Sequence, residues 1–511
     1  MKFKHILFTV LLSIAVMGCT ETFKVEPDAY EAPLFFKSSD SKVVFDTDGG
    51  KAVITIATNA GSWEIASDAS DWLGVEIVED KTLVISAPQN ISNDVRAHKV
   101  VLQATKGEEN ARLEVAVSQR AEMAEDLSSA GLANCYIAKT NGSYMFRADV
   151  KGNGSSLDGK STYVQSVGTD IEGVARAVLL WESRQDGDRS MTYEIIDGSP
   201  VYKDKYVKFN TGRSEGNAVI AVLDIEGYVI WSWHIWVTDT PVTSHDHKDD
   251  KGNVVAQIMD RNLGALNNIP MDVRNRGMFY QMGRKDPFVP CRSPYKDIDS
   301  GNVPEYNQPN YEVGDGIGRW ELTDEFTSKP IQSAPGNIPF AVENPMRFLY
   351  SFYSNSYTWF VYGDDAEALT LQSGLWGEEK KTIFDPCPAG YRVPGDGIWG
   401  TLSIDGFLKT GGTDEECDEA GTNPTYGWNK EDGCGRVWRT TGDFYPMVGN
   451  IYQTSLSTTP YNYCSGQTFY LTSHESPLKA NYFFVAAFNG NWARYDTRAQ
   501  VFSGQVRCIK E

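Results

Sequence analysis

From residue 113 to 118 apolar and polar positions alternate. Leu113, Val115 and Val117 share one face and Glu114, Ala116 and Ser118 the other, the period of a half-buried strand. Val53-Ile54-Thr55-Ile56 and Leu83-Val84-Ile85 are similar short runs, set between turn residues such as Asp48-Gly49-Gly50 and Pro88-Gln89-Asn90. Short strands at regular spacing with no helical stretch predict a β-sandwich over residues 34–121. Residues 122–132 read as a linker. A second β-sandwich is predicted over residues 133–240, from runs such as Ala177-Val178-Leu179-Leu180-Trp181 and Ala218-Val219-Ile220-Ala221-Val222-Leu223. Its last run splits by parity. Val229, Trp231, Trp233, Ile235 and Val237 form a wholly apolar face that should be core, whereas Tyr228, Ile230, Ser232, His234 and Trp236 form a mixed one. That mixed face suits a packed domain interface better than a ligand platform, because aromatics at domain edges commonly seal neighbours.

At the amino terminus Lys2, Lys4 and His5 precede an apolar run over residues 6–16. Its length fits the core of a signal peptide and is too short to span a bilayer. Val16-Met17-Gly18-Cys19 resembles a lipobox. That resemblance implies removal of residues 1–18 and acylation of Cys19, whose acyl chains would hold the protein at the outer membrane, at the cell surface. Residues 19–33 then form a tether before the first sandwich.

A formal net charge of −21 argues against nucleic acid or an anionic lipid face as a partner, since phosphate binding relies on clustered Lys and Arg. Contact with the membrane is therefore expected through the lipid anchor alone. Cys135, Cys291, Cys387, Cys417, Cys434, Cys464 and Cys508 remain besides Cys19. Seven is odd, so at least one stays free or pairs elsewhere, and no C-x-x-C spacing supports a zinc or thioredoxin-type site. The connector at 243–253 carries His245, Asp246, His247, Asp249 and Asp250. All of these candidate ligands lie in one polar run with no distant group to complete a cage, so a solvated hairpin turn is the better reading. The mature chain has only His98, His234, His245, His247 and His474, and lacks Gly-x-Ser-x-Gly, His-Glu-x-x-His and phosphate-loop motifs. No catalytic residue, metal or cofactor is assigned, and the chain is expected to bind something without catalysing a reaction.

Three resemblances refine this reading. Trp63-Glu64-Ile65, Asp71-Trp72-Leu73, Leu83-Val84-Ile85, Asn90 with Arg96, and Val115-Ala116-Val117-Ser118-Gln119 together resemble a BACON module, which implies an immunoglobulin-like sandwich acting as a spacer, with Trp63 and Trp72 as core anchors. Ala-Asn-Cys-Tyr-Ile at 133–137 and the Trp-Ser-Trp-His-Ile-Trp-Val-Thr-Asp string at 231–239 are similar to segments of fimbrillin-like envelope proteins of Bacteroidetes. In the last region, over residues 254–511, the strings are Met259 to Ala265, Gly277 to Phe288, Asn344-Pro345, Lys381 to Pro394 and Gly504 to Lys510. In that order they resemble the major paralogous domain of fibrobacters and Bacteroidetes. This resemblance implies a C-type-lectin-like α+β domain, rich in loop and poor in regular structure, closed by a disulfide between Cys387 and Cys508.

The predicted fold class is therefore mainly β and multi-domain, two β-sandwiches followed by a loop-rich α+β domain. Aromatics crowd the stretch 348–362, and most of them should be core. Asn489, Asn491, Trp492, Arg494 and Tyr495, read as a Gly-Asn-rich late loop, are the candidate ligand contacts. The expected function is that of a non-catalytic surface lipoprotein binding extracellular glycan or mucin-type ligands. The alternative is a fimbrial accessory or tip adhesin that engages a surface protein.

Overall fold

A computed structural model describes residues 32–90, 94–121, 124–155, 167–184, 195–248, 251–270, 272–290, 321–323, 337–349, 359, 374–395, 398–399, 409–410, 435–437, 441–451, 461–462, 467–475, 482–489, 493–500 and 502–511. The chain is mainly β, in several separate sheets.

The first module contains β1 (Phe36–Ser38), β2 (Lys42–Phe45), β3 (Gly50–Thr58), β4 (Ser62–Ile65), β5 (Gly74–Val78), β6 (Thr82–Ala87), β7 (Arg96–Lys106) and β8 (Glu109–Gln119). They form two four-stranded sheets, β1-β3-β6-β5 and β2-β8-β7-β4. The predicted alternation holds: Ile54, Ile56, Leu83, Ile85, Val100, Leu102, Val115 and Val117 are buried in one core, while Val53 stays exposed. Trp63 belongs to that core and its Nε1 donates to Asp80 O at 2.8 Å. Trp72 is half-buried against the same core, with the Arg96 guanidinium 6.0 Å from its ring centroid. Asn90 is buried and its Nδ2 donates to Asp94 O and Arg120 O, which ties the loop before β7 to the end of β8.

The second module contains β9 (Glu125–Asp126), β10 (Cys135–Ala138), β11 (Ser143–Arg147), β12 (Arg176–Ser183), β13 (Val201–Lys203), β14 (Tyr206–Asn210), β15 (Gly216–Leu223) and β16 (Val229–Val237). Its sheets are β10-β16-β15-β12 and β13-β14-β11-β9. The linker expected over residues 122–132 is structured where it is described. β9 pairs in parallel with β11, and Asp126 caps a 3-10 turn at Leu127–Ala130 by accepting from Ser128 N at 2.9 Å. Polar composition suggested a spacer, but backbone pairing with a distant strand decides the structure here.

The apolar face of β16 is core as predicted, with Trp233 packed on Phe146 of the facing sheet at 4.9 Å between ring centroids. Ser232, His234 and Trp236 on its other face are equally buried, and Ser232 and His234 are bonded to Asp286 and Tyr280 of the last region. The interface reading of that face therefore holds at these positions. Tyr228, at the hairpin end, stays exposed.

The last region begins earlier than residue 254. β17 (Ser244–Lys248) and β18 (Val254–Met259) are an antiparallel hairpin. The connector is thus a hairpin as expected, but not a solvated polar run: His247 is fully buried. Its Nε2 lies 2.8 Å from the Tyr445 hydroxyl, a partner 198 residues away that spacing within the connector could not reveal. The other strands are β19 (Phe279–Gln281), β20 (Pro287–Phe288), β21 (Glu321–Thr323), β22 (Arg347–Leu349), β23 (Tyr391–Arg392), β24 (Lys409–Thr410), β25 (Gly435–Val437), β26 (Phe444–Pro446), β27 (Asn450–Ile451), β28 (Tyr461–Asn462), β29 (Gln467–Glu475), β30 (Tyr482–Asn489), β31 (Ala493–Ala499), β32 (Ser503–Gln505) and β33 (Ile509–Lys510), with helix α1 at Asn337–Glu343.

Little regular structure is expected in this region, yet it builds the largest sheet among the described residues, β20-β19-β32-β29-β30-β31-β24. A smaller sheet, β17-β18-β33-β23, joins both ends of the region, and the Cys387–Cys508 disulfide ties the segment before β23 to the segment before β33 with Cα atoms 6.1 Å apart. Of the aromatic stretch 348–362, Phe348 and Trp359 are buried as expected; Tyr350, Phe352, Tyr353, Tyr357, Phe360 and Tyr362 lie outside the described residues.

Among the described residues there are two large cores and a smaller one around Trp399, Tyr445 and Tyr470. The first module has its own. A second runs without a break from Cys135 to Cys508, so the second sandwich and the last region share one hydrophobic interior.

Candidate binding site

The strings singled out in the sequence converge in space. Asn134, in Ala-Asn-Cys-Tyr-Ile, donates through Nδ2 to Ile383 O at 2.6 Å and Asp385 O at 2.9 Å, and accepts from Trp231 Nε1 at 2.9 Å. The segment from Lys381 to Pro394 is thereby clamped to β16. Lys381 Nζ donates to the carbonyls of Cys387, Pro388 and Tyr391 at 2.6–2.8 Å, while Asp385 accepts from Cys387 N and Val393 N. Arg507 Nε donates to Met259 O at 2.8 Å, and Arg284 donates to the carbonyls of Ala341, Asn344 and Arg347. Lys381, Arg284 and Arg507 thus satisfy backbone carbonyls and Asp385 satisfies backbone N–H groups, which is how a region with irregular connections keeps its buried polar groups paired.

The seam between β16 and the last region is polar and buried. Ser232 Oγ donates to Asp286 Oδ1 at 2.6 Å, and Lys285 Nζ reaches the same oxygen at 2.6 Å while sitting 4.5 Å from the Trp231 ring centroid. His234 is bonded on both nitrogens, Nε2 to Asn217 Oδ1 at 2.8 Å and Nδ1 to the Tyr280 hydroxyl at 2.9 Å. Asn217 Nδ2 donates to Gly264 O, so its Oδ1 must accept from His234 Nε2–H, which leaves Nδ1 to accept from Tyr280. Burial holds the imidazole neutral, with its pKa pushed down to about 3. His247 is pushed down to about 4, chiefly by burial. Burial raises the Cys135 thiol well above the range of a reactive thiolate. These groups hold the body together and are not disposed to meet a substrate. His245 differs: its Nδ1 faces both oxygens of the buried Asp443 at 2.8 and 3.0 Å, and its side chain is partly exposed. Among the described residues no group of three or more His, Cys, Asp or Glu side chains is placed to hold a metal ion.

The proposed ligand contacts sit elsewhere, at the β30–β31 hairpin of the seven-stranded sheet. Antiparallel pairing runs from Tyr482 with Ala499 to Phe488 with Ala493. Asn489 ends β30 opposite Gln467. Arg494 and Tyr495 are not loop residues, as the sequence reading had them. They lie inside β31, where Arg494 is in register with Ala487 on one side and Lys409 on the other, and Tyr495 with Ala486 and Thr410. The alternation of Ala493 to Ala499 carries the strand further toward the turn than the Gly-Asn composition suggested. Asn491, Trp492 and Cys19 lie outside the described residues. The structure thus brings Asn489, Arg494 and Tyr495 to one hairpin end. Sequence reasoning missed the charged groups of the seam, whose only signal was charge inside otherwise apolar strings.

No family model matches the chain, and no curated protein matches it significantly. Among solved structures, an NMR structure of a Bacteroides thetaiotaomicron protein is 23% identical, covering 19% of this chain and 93% of that one at a TM-score of 0.15. A Bacteroides ovatus GH5 xyloglucanase is 19% identical over 27% of this chain and 36% of that one, also at 0.15. Two tandem Ig domains of titin are 9% identical over 40% of this chain and 96% of theirs, at 0.14. Likeness at these scores carries no inference about function.

Proposed function

We propose that the chain is a non-catalytic surface lipoprotein, held at the outer membrane through Cys19, that presents its carboxyl-terminal body to extracellular glycan or mucin-type ligands. One observation carries the reading: the division of the chain into a first sandwich with a core of its own and a fused body whose core runs from Cys135 to Cys508. A spacer needs a self-sufficient fold. A presenting body needs a rigid scaffold, because loops already held in place lose little entropy on binding. The disulfide and the buried clamps at Asn134, Lys381 and Arg284 supply that rigidity around the sheet that contains the β30–β31 hairpin.

The test is a glycan array probed with the mature chain and with Trp492→Ala. Binding of the mature chain to at least one glycan that is lost in Trp492→Ala, at an unchanged melting temperature, is the expected outcome. An array on which the mature chain binds nothing overturns the glycan reading.

A further inference from the structure

The joint between the first module and the fused body is tightly built. Lys42 Nζ of β2 meets Asp197 Oδ1 at 2.8 Å, and Arg120, just after β8, donates from Nη2 to Ser199 O at 3.0 Å. Gly198 lies between these contacts at a φ of +88°, a conformation that L side chains rarely adopt. A Cβ there would lie only 2.0 Å from Val44 Cγ2, so glycine is what lets the two modules approach.

Where they meet they enclose a half-open cleft of about 570 Å³, lined by Asp40, Ser41, Lys42, Asp46, Arg120 and Ser199, with Val44 and Val201 as its apolar strips. That volume falls within the roughly 300–1,000 Å³ of small-molecule sites. Arg120 is only 2% exposed, and its Nε has no hydrogen-bond partner among the described residues. A buried guanidinium N–H without an acceptor is costly, and this one lies in the wall of the cleft.

We propose that this cleft is a second ligand site, formed jointly by the two modules, and that it takes a neutral saccharide unit. The charges select the class. A carboxylated or sulfated sugar would meet Asp40, Asp46 and the neighbouring Asp197, and an amine or metal cation would meet Arg120 and Lys42. A neutral sugar suits both sets: its hydroxyls donate to the carboxylates and accept from the Lys42 ammonium, the serine hydroxyls serve either role, and its C–H surface lies on the valines. The proposal shares its ligand class with the proposed function but not its site. Neither module alone contains the cleft.

The test follows Val44 and Val201 methyl resonances in the mature chain, with methyl-labelled valine, during titration with cellohexaose, xylohexaose and mannohexaose, and separately with oligogalacturonate and with calcium. Saturable shifts of both methyls with at least one neutral oligomer are expected. Ser199→Trp, which fills the cleft from an exposed position, should weaken that response by about tenfold or more without lowering the melting temperature, and Trp492→Ala should leave it intact. Silent methyls, shifts that persist in Ser199→Trp, or a response to oligogalacturonate or calcium alone would overturn the proposal. Array binding with silent cleft methyls removes this site and leaves the proposed function standing. Cleft shifts that disappear with Ser199→Trp while Trp492→Ala leaves array binding unaltered support this site against the late hairpin.

Discussion

Asp385 shows what burial does to a single residue in this protein. Its carboxylate has lost water on all sides, and two backbone N–H donors together with Lys381 at 3.9 Å offset only part of that loss. Burial dominates and pushes its pKa up to about 6. An acid whose pKa is raised by folding is protonated more readily in the native state, so its contribution to stability grows as pH falls from about 6 to about 4, and is flat on either side. At neutral pH the residue therefore opposes folding, by up to about 3 kcal/mol. Thermal unfolding followed across that window should show this component in the wild type and lack it in Asp385→Asn. Identical pH slopes for the two proteins would show that the carboxylate is not held as described.

At the scale of elements, the closing sheet of the last region joins a hairpin at its beginning to a strand at its end. β18 pairs with β33 through Ile258 and Ile509, and β33 with β23 through Ile509 and Arg392. These ladders are short, and the Cys387–Cys508 bridge beside them spans 121 residues. A loop of that size should stabilise the native state by about 5 kcal/mol on the chain-entropy account. The double substitution Cys387→Ala with Cys508→Ala is expected to lower denaturant stability of the fused body by several kcal/mol, on the order of that value, while the first module's own transition stays in place. A single unchanged transition would mean that the short ladders and clamps suffice without the bridge.

On the scale of the whole molecule, the number of cooperative units should follow the number of cores and not the number of sequence domains. The fragment 34–121 is expected to fold alone, with a sharp thermal transition by circular dichroism, because its apolar residues pack within its own two sheets. The fragment 34–240 is expected to lose the fold of its second module. Without the last region Ser232 and His234 would lose Asp286 and Tyr280, and Asn134 would lose the carbonyls of Ile383 and Asp385. Finding a second cooperative transition in 34–240 would show that the shared core is dispensable to the second sandwich.

The alternation of apolar and polar residues by itself determined that the chain is mainly β, that residues 34–121 form a sandwich and that the odd positions from 229 to 237 are core, because a strand's side-chain period of two is a local property. The convergence of Ala-Asn-Cys-Tyr-Ile with Lys381 to Pro394, the burial of His247 against Tyr445 and the pairing of β9 with β11 were decided only by the tertiary structure. Each depends on a partner distant in sequence, and the polar composition of those segments is equally compatible with a solvated loop. The same holds for the candidate sites. The strand that claims Arg494 and Tyr495, and the cleft that joins Lys42 and Arg120 to Ser199, depend on register and on the docking of one module against another, neither of which is encoded in any local window of the chain.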